Sequence, residues 1–122
     1  MTRAVNDAQA TATALDRLAR ATIGNAGTLP VSELYSMVAE LVDASRHLAQ
    51  VLSHINNHAT ARALRVELRL DASGHQRFGH PHQAVTETWR RLATASAAQD
   101  DVTRGVDEAL VALSTLAETE SS

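Results

Sequence analysis

A periodic run of apolar residues between Val31 and Ile55 is the feature that most constrains the fold of this chain. Apolar residues recur there in alternating steps of three and four, which aligns them along one side of an α-helix. The predicted seam consists of Val31, Leu34, Val38, Leu41, Ser45, Leu48, Leu52 and Ile55. Flanking positions, among them Val42 and Val51, are also apolar, so the apolar surface is too wide for one partner helix to cover. The pattern predicts a central helix with more than one neighbour.

A second run with the same spacing follows Pro81. Its members are Val85, Thr88, Leu92, Ala95, Gln99, Val102, Val106, Ala109, Leu113 and Leu116. Residues 4–23 are strong or neutral helix formers and form a shorter, weakly apolar pattern. We therefore predict an all-α helical bundle with two long antiparallel helices, about residues 30–68 and 82–117, and a shorter N-terminal helix, about residues 4–23.

The segment from Ala59 to Leu70 has two interpretations. Apolar residues alternate with charged residues from Leu64 to Leu70, which is the period-two signature of a strand. The same segment also continues the helical pattern if the repeat shifts by one four-residue step. A central helix that continues to residue 68 would be about 58 Å long, close to the roughly 54 Å expected of the last helix. We therefore expect helix at least through Val66.

The stretch from Asp71 to His82 contains the glycine and proline residues that indicate a loop. Phe78 is its only large apolar residue, and we expect it to pack onto the helix ends. If the loop is centred near residue 75, residue i of the first long helix faces residue 150 minus i of the second. Ser45 would then lie opposite Gly105, and two small residues would allow the helices to approach closely.

Composition restricts the class of protein. The chain has no cysteine, which excludes disulfides and cysteine-based zinc sites. Its 122 residues suit a single domain (1–122), with frayed termini at 1–3 and 118–122. The polar start of the sequence does not resemble a signal peptide or a membrane-spanning helix, so we expect a soluble, cytoplasmic protein with no membrane association. The net charge of −3 is uneven, because residues 54–91 carry +3 and residues 92–122 carry −5.

The six histidines include two pairs with spacing that can suit a metal. His54 and His58 lie one helical turn apart, and His80 and His82 flank Pro81. A zinc site normally needs three or four protein ligands, and Glu87 is the only further carboxylate in a matching position. We therefore predict surface histidines, with no metal and no cofactor.

All eleven basic residues are arginines, and six of them fall near the predicted loop. These six residues could contact phosphates: Arg62, Arg65, Arg69, Arg77, Arg90 and Arg91. Lysine is absent, and the sequence has no helix-turn-helix pattern with a short turn. A small nucleic-acid-binding accessory or regulatory protein is therefore the alternative function, and arginines that cover helix flanks are the simpler interpretation.

A short N-terminal helix can cover only part of the long helices, so apolar residues near the loop are expected to stay open. These residues form the predicted interface: Val66, Leu70, Val85, Trp89 and Leu92. Burial against a second copy would give a twofold homodimer. No nucleophile-elbow sequence or other catalytic motif is present, so we predict no catalytic residues. The expected function is non-enzymatic, an oligomerisation or protein-interaction module.

Two apolar runs carry a resemblance to a known group of proteins. Residues Leu34 to Leu41 read LYSMVAEL and residues Leu48 to Leu52 read LAQVL, and an alanine-rich final helix follows the loop. This arrangement resembles uncharacterised small alanine-rich helical proteins of high-GC Gram-positive bacteria. The resemblance implies a helical, cytoplasmic bacterial protein and carries no activity or functional residue with it.

Overall fold

The computed structural model describes three segments of the chain: residues 2–24, 27–65 and 68–117. Within them lie four α-helices: α1 (Arg3–Ala21), α2 (Val31–Arg65), α3 (Ala72–Arg77) and α4 (Pro81–Leu113). The same segments contain no β-strand. The all-α fold class is confirmed, with the two long helices α2 and α4 packed against each other.

The chain divides into two compact units, residues 1–30 and residues 31–122. The first unit contains α1, which begins after Thr2 because the Thr2 side chain accepts a hydrogen bond from the backbone N–H of Val5 at 3.3 Å. After α1, Gly27 adopts a φ of +87°, a left-handed conformation that glycine tolerates without a steric penalty.

The second unit is built on an antiparallel hairpin of α2 and α4. These helices contain 35 and 33 residues and are therefore about 52 Å and 50 Å long. The close match in length agrees with the reasoning that favoured helix over strand after Ala59. Helix continues to Arg65. Val66, to which the prediction extended, lies outside the described residues, and residues 68–70 are neither helix nor strand.

The predicted loop between the long helices contains the six-residue helix α3. Asp71 caps α3, because one carboxylate oxygen accepts hydrogen bonds from the Gly74 backbone N–H at 2.8 Å and from the Ser73 hydroxyl at 2.9 Å. The Gly74 N–H holds the pKa of Asp71 below its ordinary value, with a smaller contribution from Ser73. Phe78 follows α3 and is half-buried.

The surface on which α2 and α4 meet is here called the inner stripe. Every second residue of the predicted seam lies in it, and each of the others is replaced by the next residue along the chain. In α2 it consists of Val38, Val42, Ser45, Ala49, Leu52 and Asn56, and in α4 of Ser96, Gln99, Thr103, Val106, Leu110 and Leu113. The prediction that Leu48, Ile55 and Val102 lie in the seam is wrong, since all three are exposed. The physical reason is the width of the apolar surface, which allowed two neighbouring lines of contact.

The predicted approach of Ser45 to Gly105 is also wrong. The Ser96 hydroxyl donates to the Ala49 carbonyl at 3.4 Å and the Arg46 guanidinium lies 3.8 Å from Asp107, so the sums of facing residue numbers, 145 and 153, lie on either side of the predicted 150. Gly105 is exposed, and an added Cβ there would meet open space. The error concerns the rotation of α4, because Gly105 directly precedes Val106 of the inner stripe and therefore lies beside the line of contact.

Val42 is the only buried residue among the described residues, at 3% exposure. We expect Val42→Ala to lower the free energy of unfolding by about 2 kcal/mol, because buried methyl groups are lost and a small cavity is left. Urea unfolding at one fixed protein concentration measures this effect. Val111→Ala is the matched control, because Val111 lies on α4 at 64% exposure and should change stability by less than about 0.5 kcal/mol. Equal losses in the two variants would contradict the position of the core.

Candidate functional site

One side of the hairpin is polar, and a salt bridge between the helices identifies it. The Arg46 guanidinium lies 3.8 Å from an oxygen of Asp107. Each of these residues directly follows a member of the inner stripe, Ser45 in α2 and Val106 in α4. In an antiparallel pair, positions that follow the contact line in both helices lie on the same side. The polar face includes Asp43, Arg46, Gln50, Ser53 and Asn57 of α2 with Asp100, Arg104 and Asp107 of α4.

The opposite side of the hairpin is apolar along both helices. It is formed by the residues that directly precede the inner stripe. This apolar face consists of Met37, Leu41, Ala44, Leu48, Val51 and Ile55 of α2 with Ala95, Ala98, Val102, Gly105, Ala109 and Ala112 of α4. Its largest open side chains, Leu48, Val51, Ile55 and Val102, are between 44% and 51% exposed. The apolar face is therefore continuous across two helices and open to solvent along much of its length.

The predicted interface residues do not form one exposed patch. Val85 and Leu92 are half-buried on the side of α4 that faces α2, and Leu70 is half-buried at the tip. A Cβ built on Gly74 would lie 3.1 Å from the Leu70 side chain, which shows that Leu70 packs onto α3. Trp89 is 52% exposed and lies toward the polar face, one turn before Ala93. Val66, the fifth residue of that set, lies outside the described residues.

The six arginines near the tip divide into two groups. Arg90 and Arg91 both bind Glu87, with nitrogen to oxygen distances of 2.7 Å. The hydrogen bonds from Arg90 and then Arg91 hold the pKa of Glu87 below its ordinary value of 4.5. The other four arginines form no ion pair with any described residue: Arg62, Arg65, Arg69 and Arg77. The Arg77 guanidinium lies 5.7 Å from the centre of the Phe78 ring.

The histidines do not assemble with carboxylates into a metal-binding cluster in the described segments, where no three metal-binding side chains come together. His80 caps α4, because its Nδ1 accepts a hydrogen bond from the His82 backbone N–H at 3.0 Å. Gln83 supports the same helix start by accepting from the Gly79 N–H at 2.8 Å. These caps explain the His80-Pro81-His82 spacing as a helix start.

An open depression of about 270 Å³ lies at the end of the hairpin away from the tip. It is lined by Val31, Ser32, Tyr35, Leu113, Leu116 and Ala117. Among the described residues, its polar side chains are the hydroxyl groups of Ser32 and Tyr35. This depression therefore offers mainly apolar contact.

The inner stripe contains one unusual polar atom. Asn56 Oδ1 is buried and accepts no hydrogen bond from any described residue. A buried oxygen without a donor costs stability. Together with Ser45, Ser96 and Gln99, it makes the contact between α2 and α4 more polar than the apolar face on the outside.

Comparisons with known proteins do not place the chain in a family. No protein-family model, no curated protein and no solved structure matches it. None of the described helices combines the length and the hydrophobicity that a membrane-spanning segment requires.

The ion pairs of Glu87 with Arg90 and Arg91, here called the Glu87 cluster, predict a pH-dependent contribution to stability. Because the folded pKa is lowered, the contribution is present above the unfolded pKa near 4.5 and is lost as the pH falls through the lower folded value. Glu87→Gln should therefore lower the thermal midpoint at pH 7, and the difference from the parent should shrink by pH 3. Asp100→Asn is the control, because Asp100 forms no ion pair with a described residue. A Glu87→Gln deficit that is the same at pH 7 and pH 3 would contradict the assignment.

Proposed function

We propose that the protein is a non-enzymatic self-association module and that the apolar face is its interface. The observation that carries the proposal is the exposure of Leu48, Val51, Ile55 and Val102 on one side of the hairpin. Soluble monomers seldom expose a contiguous apolar patch of this extent. Its removal from water requires a second apolar surface of similar length and width.

The asymmetry of α2 supports this proposal. The side of α2 that meets α4 includes Ser45 and Asn56, whereas the apolar face carries leucine, valine and isoleucine. Burial of apolar surface contributes about 25 cal/mol per Å², so the open side has more to gain from a partner than the side already covered. The charged polar face has no such gain, because burial of unpaired charges is costly.

The same proposal includes compartment and source. A cytoplasmic location is supported by the absence of cysteine, and a bacterial source by the resemblance to alanine-rich helical proteins of high-GC bacteria. A role without catalysis rests on the sequence, which contains no nucleophile-elbow sequence or other catalytic motif. These statements belong to the proposal along with the interface.

A matched pair of substitutions on α4 tests the interface. Val102 and Val111 are both exposed, at 51% and 64%, but Val102 lies on the apolar face and Val111 on the polar face. We expect Val102→Asp to weaken self-association by at least about 2 kcal/mol, because an unpaired carboxylate would be buried. Val111→Asp should leave self-association unchanged. Sedimentation equilibrium over a range of micromolar concentrations measures both, and circular dichroism checks that helix content is retained.

Three results would distinguish the proposal from its competitors. A parent chain that sediments as a monomer at every concentration would contradict self-association. Equal effects of the two valine variants would show that the apolar face is not the interface. Loss of the dimer in Trp89→Ala, with Val102→Asp unaffected, would move the interface to the side of α4 on which Trp89 lies.

Nucleic-acid binding is the second candidate, and the unpaired arginines at the tip favour it. Arg62, Arg65 and Arg69 form no ion pair with any described residue and are exposed. Exposed arginines without an ion-pair partner can bind the phosphates of a nucleic acid. This binding releases the counterions of the nucleic acid and is therefore strongest at low salt. Arg90 and Arg91 contribute less to this surface, because Glu87 already neutralises part of their charge.

A nucleic-acid column separates this second candidate from self-association. If the arginines bind phosphate, the parent chain is retained at low salt, and simultaneous replacement of Arg62, Arg65 and Arg69 by alanine abolishes retention. Replacement of Arg3, Arg17 and Arg20 in α1 is the control with the same change in net charge. A parent chain that passes through at low salt would contradict nucleic-acid binding.

A further inference from the structure

The two halves of the hairpin carry opposite charge. The distal half, residues 54–91, contains six arginines and three acids. The proximal half, residues 31–53 with residues 92–117, contains two arginines and seven acids. Electrostatic complementarity selects the orientation of two associating surfaces, because like charges brought together oppose binding. Two copies with distal halves adjacent would repel, whereas a distal half beside a proximal half would attract.

The charges on α2 itself border the apolar face at its two ends. Glu33 lies one turn before Met37, at the proximal end of the face. Arg62 lies two turns after Ile55, at its distal end. Neither residue forms an ion pair with a described residue, so both are available to a partner. The apolar face therefore has an acid at one end and a free arginine at the other.

The midpoint of α2 lies at Leu48, on the apolar face itself. If α2 of one copy crosses α2 of a second copy in antiparallel orientation at this midpoint, residue i lies level with residue 96 minus i. Glu33 is then level with residue 63 of the second copy, beside Arg62, and Leu41 is level with Ile55. The same alignment brings the apolar residues together and pairs the charges at both ends.

From these placements we infer that the occupant of the apolar face is a second copy of this chain, bound in antiparallel orientation so that Glu33 of each copy meets Arg62 of the other. The inference rests on the proposed function and adds the orientation and the residues that determine it. Apart from Val102, the α4 side of the face consists of alanine and glycine, among them Ala98 and Gly105, and these small residues allow the second copy to approach closely.

A charge exchange tests the orientation. Glu33→Arg and Arg62→Glu each place like charges together twice in the dimer and should raise its dissociation constant about tenfold at low salt. The double variant restores opposite charges and should return the constant to within about threefold of the parent. Arg104→Glu is the control, because Arg104 lies on the polar face. Added salt should weaken the parent dimer.

A distance measurement checks the same inference independently of surface charge. The chain has no cysteine, so Gln76→Cys in the exposed tip helix accepts a single spin label. Antiparallel copies place the two labels more than about 45 Å apart, whereas copies with adjacent tips place them within about 30 Å. A dimer with close labels, or one that Arg62→Glu tightens, would overturn the orientation and leave self-association standing. A monomeric parent at every concentration would overturn the proposed function together with this inference.

Discussion

The structure of the second unit depends on the width of the apolar surface of α2. One neighbouring helix covers a limited arc of another helix, and α4 covers the arc centred on Ser45, Ala49 and Leu52. Leu48, Val51 and Ile55 lie outside that arc and keep nearly half of their surface exposed. The contrast between an apolar face and a polar face follows from this single geometric limit, and the open apolar face is the surface on which the proposed self-association rests.

The hairpin contact is also partly polar in character. Ser96 is accommodated within it because its hydroxyl donates to the Ala49 carbonyl, whereas Asn56 Oδ1 is buried without a donor among the described residues. The contact holds the two helices in register, and the unpaired oxygen of Asn56 shows that it does so without maximal stability. Much of the apolar surface of α2 therefore lies outside its contact with α4.

Helix positions could be predicted from the sequence, because periodicity over many turns and the Gly/Pro punctuation are strong signals. The line along which α2 contacts α4 could not be predicted from the sequence. Leu48 and Ala49 both lie on the wide apolar surface of α2, and the periodicity does not determine which of them faces α4. The rotation of α4 could not be predicted for the same reason, since Gly105 lies one position from the line of contact. The short helix α3, which Asp71 caps, lies within the segment predicted as a loop. For the site, the unpaired arginines were recognisable as a group, but the Glu87 cluster depends on side-chain geometry that spacing alone does not determine.

The compact tip has a kinetic consequence for the order in which the hairpin forms. Contacts between α2 and α4 near the tip close short segments of chain, because the connection that contains α3 is short. Each contact one turn further from the tip closes a longer segment, and the loss of chain entropy increases modestly with that length. The contact of Ser96 with Ala49 already spans 47 residues, and that of Val31 with the end of α4 spans more. The helices should therefore join first at the tip and close progressively toward Val31, and local opening should begin at the opposite end.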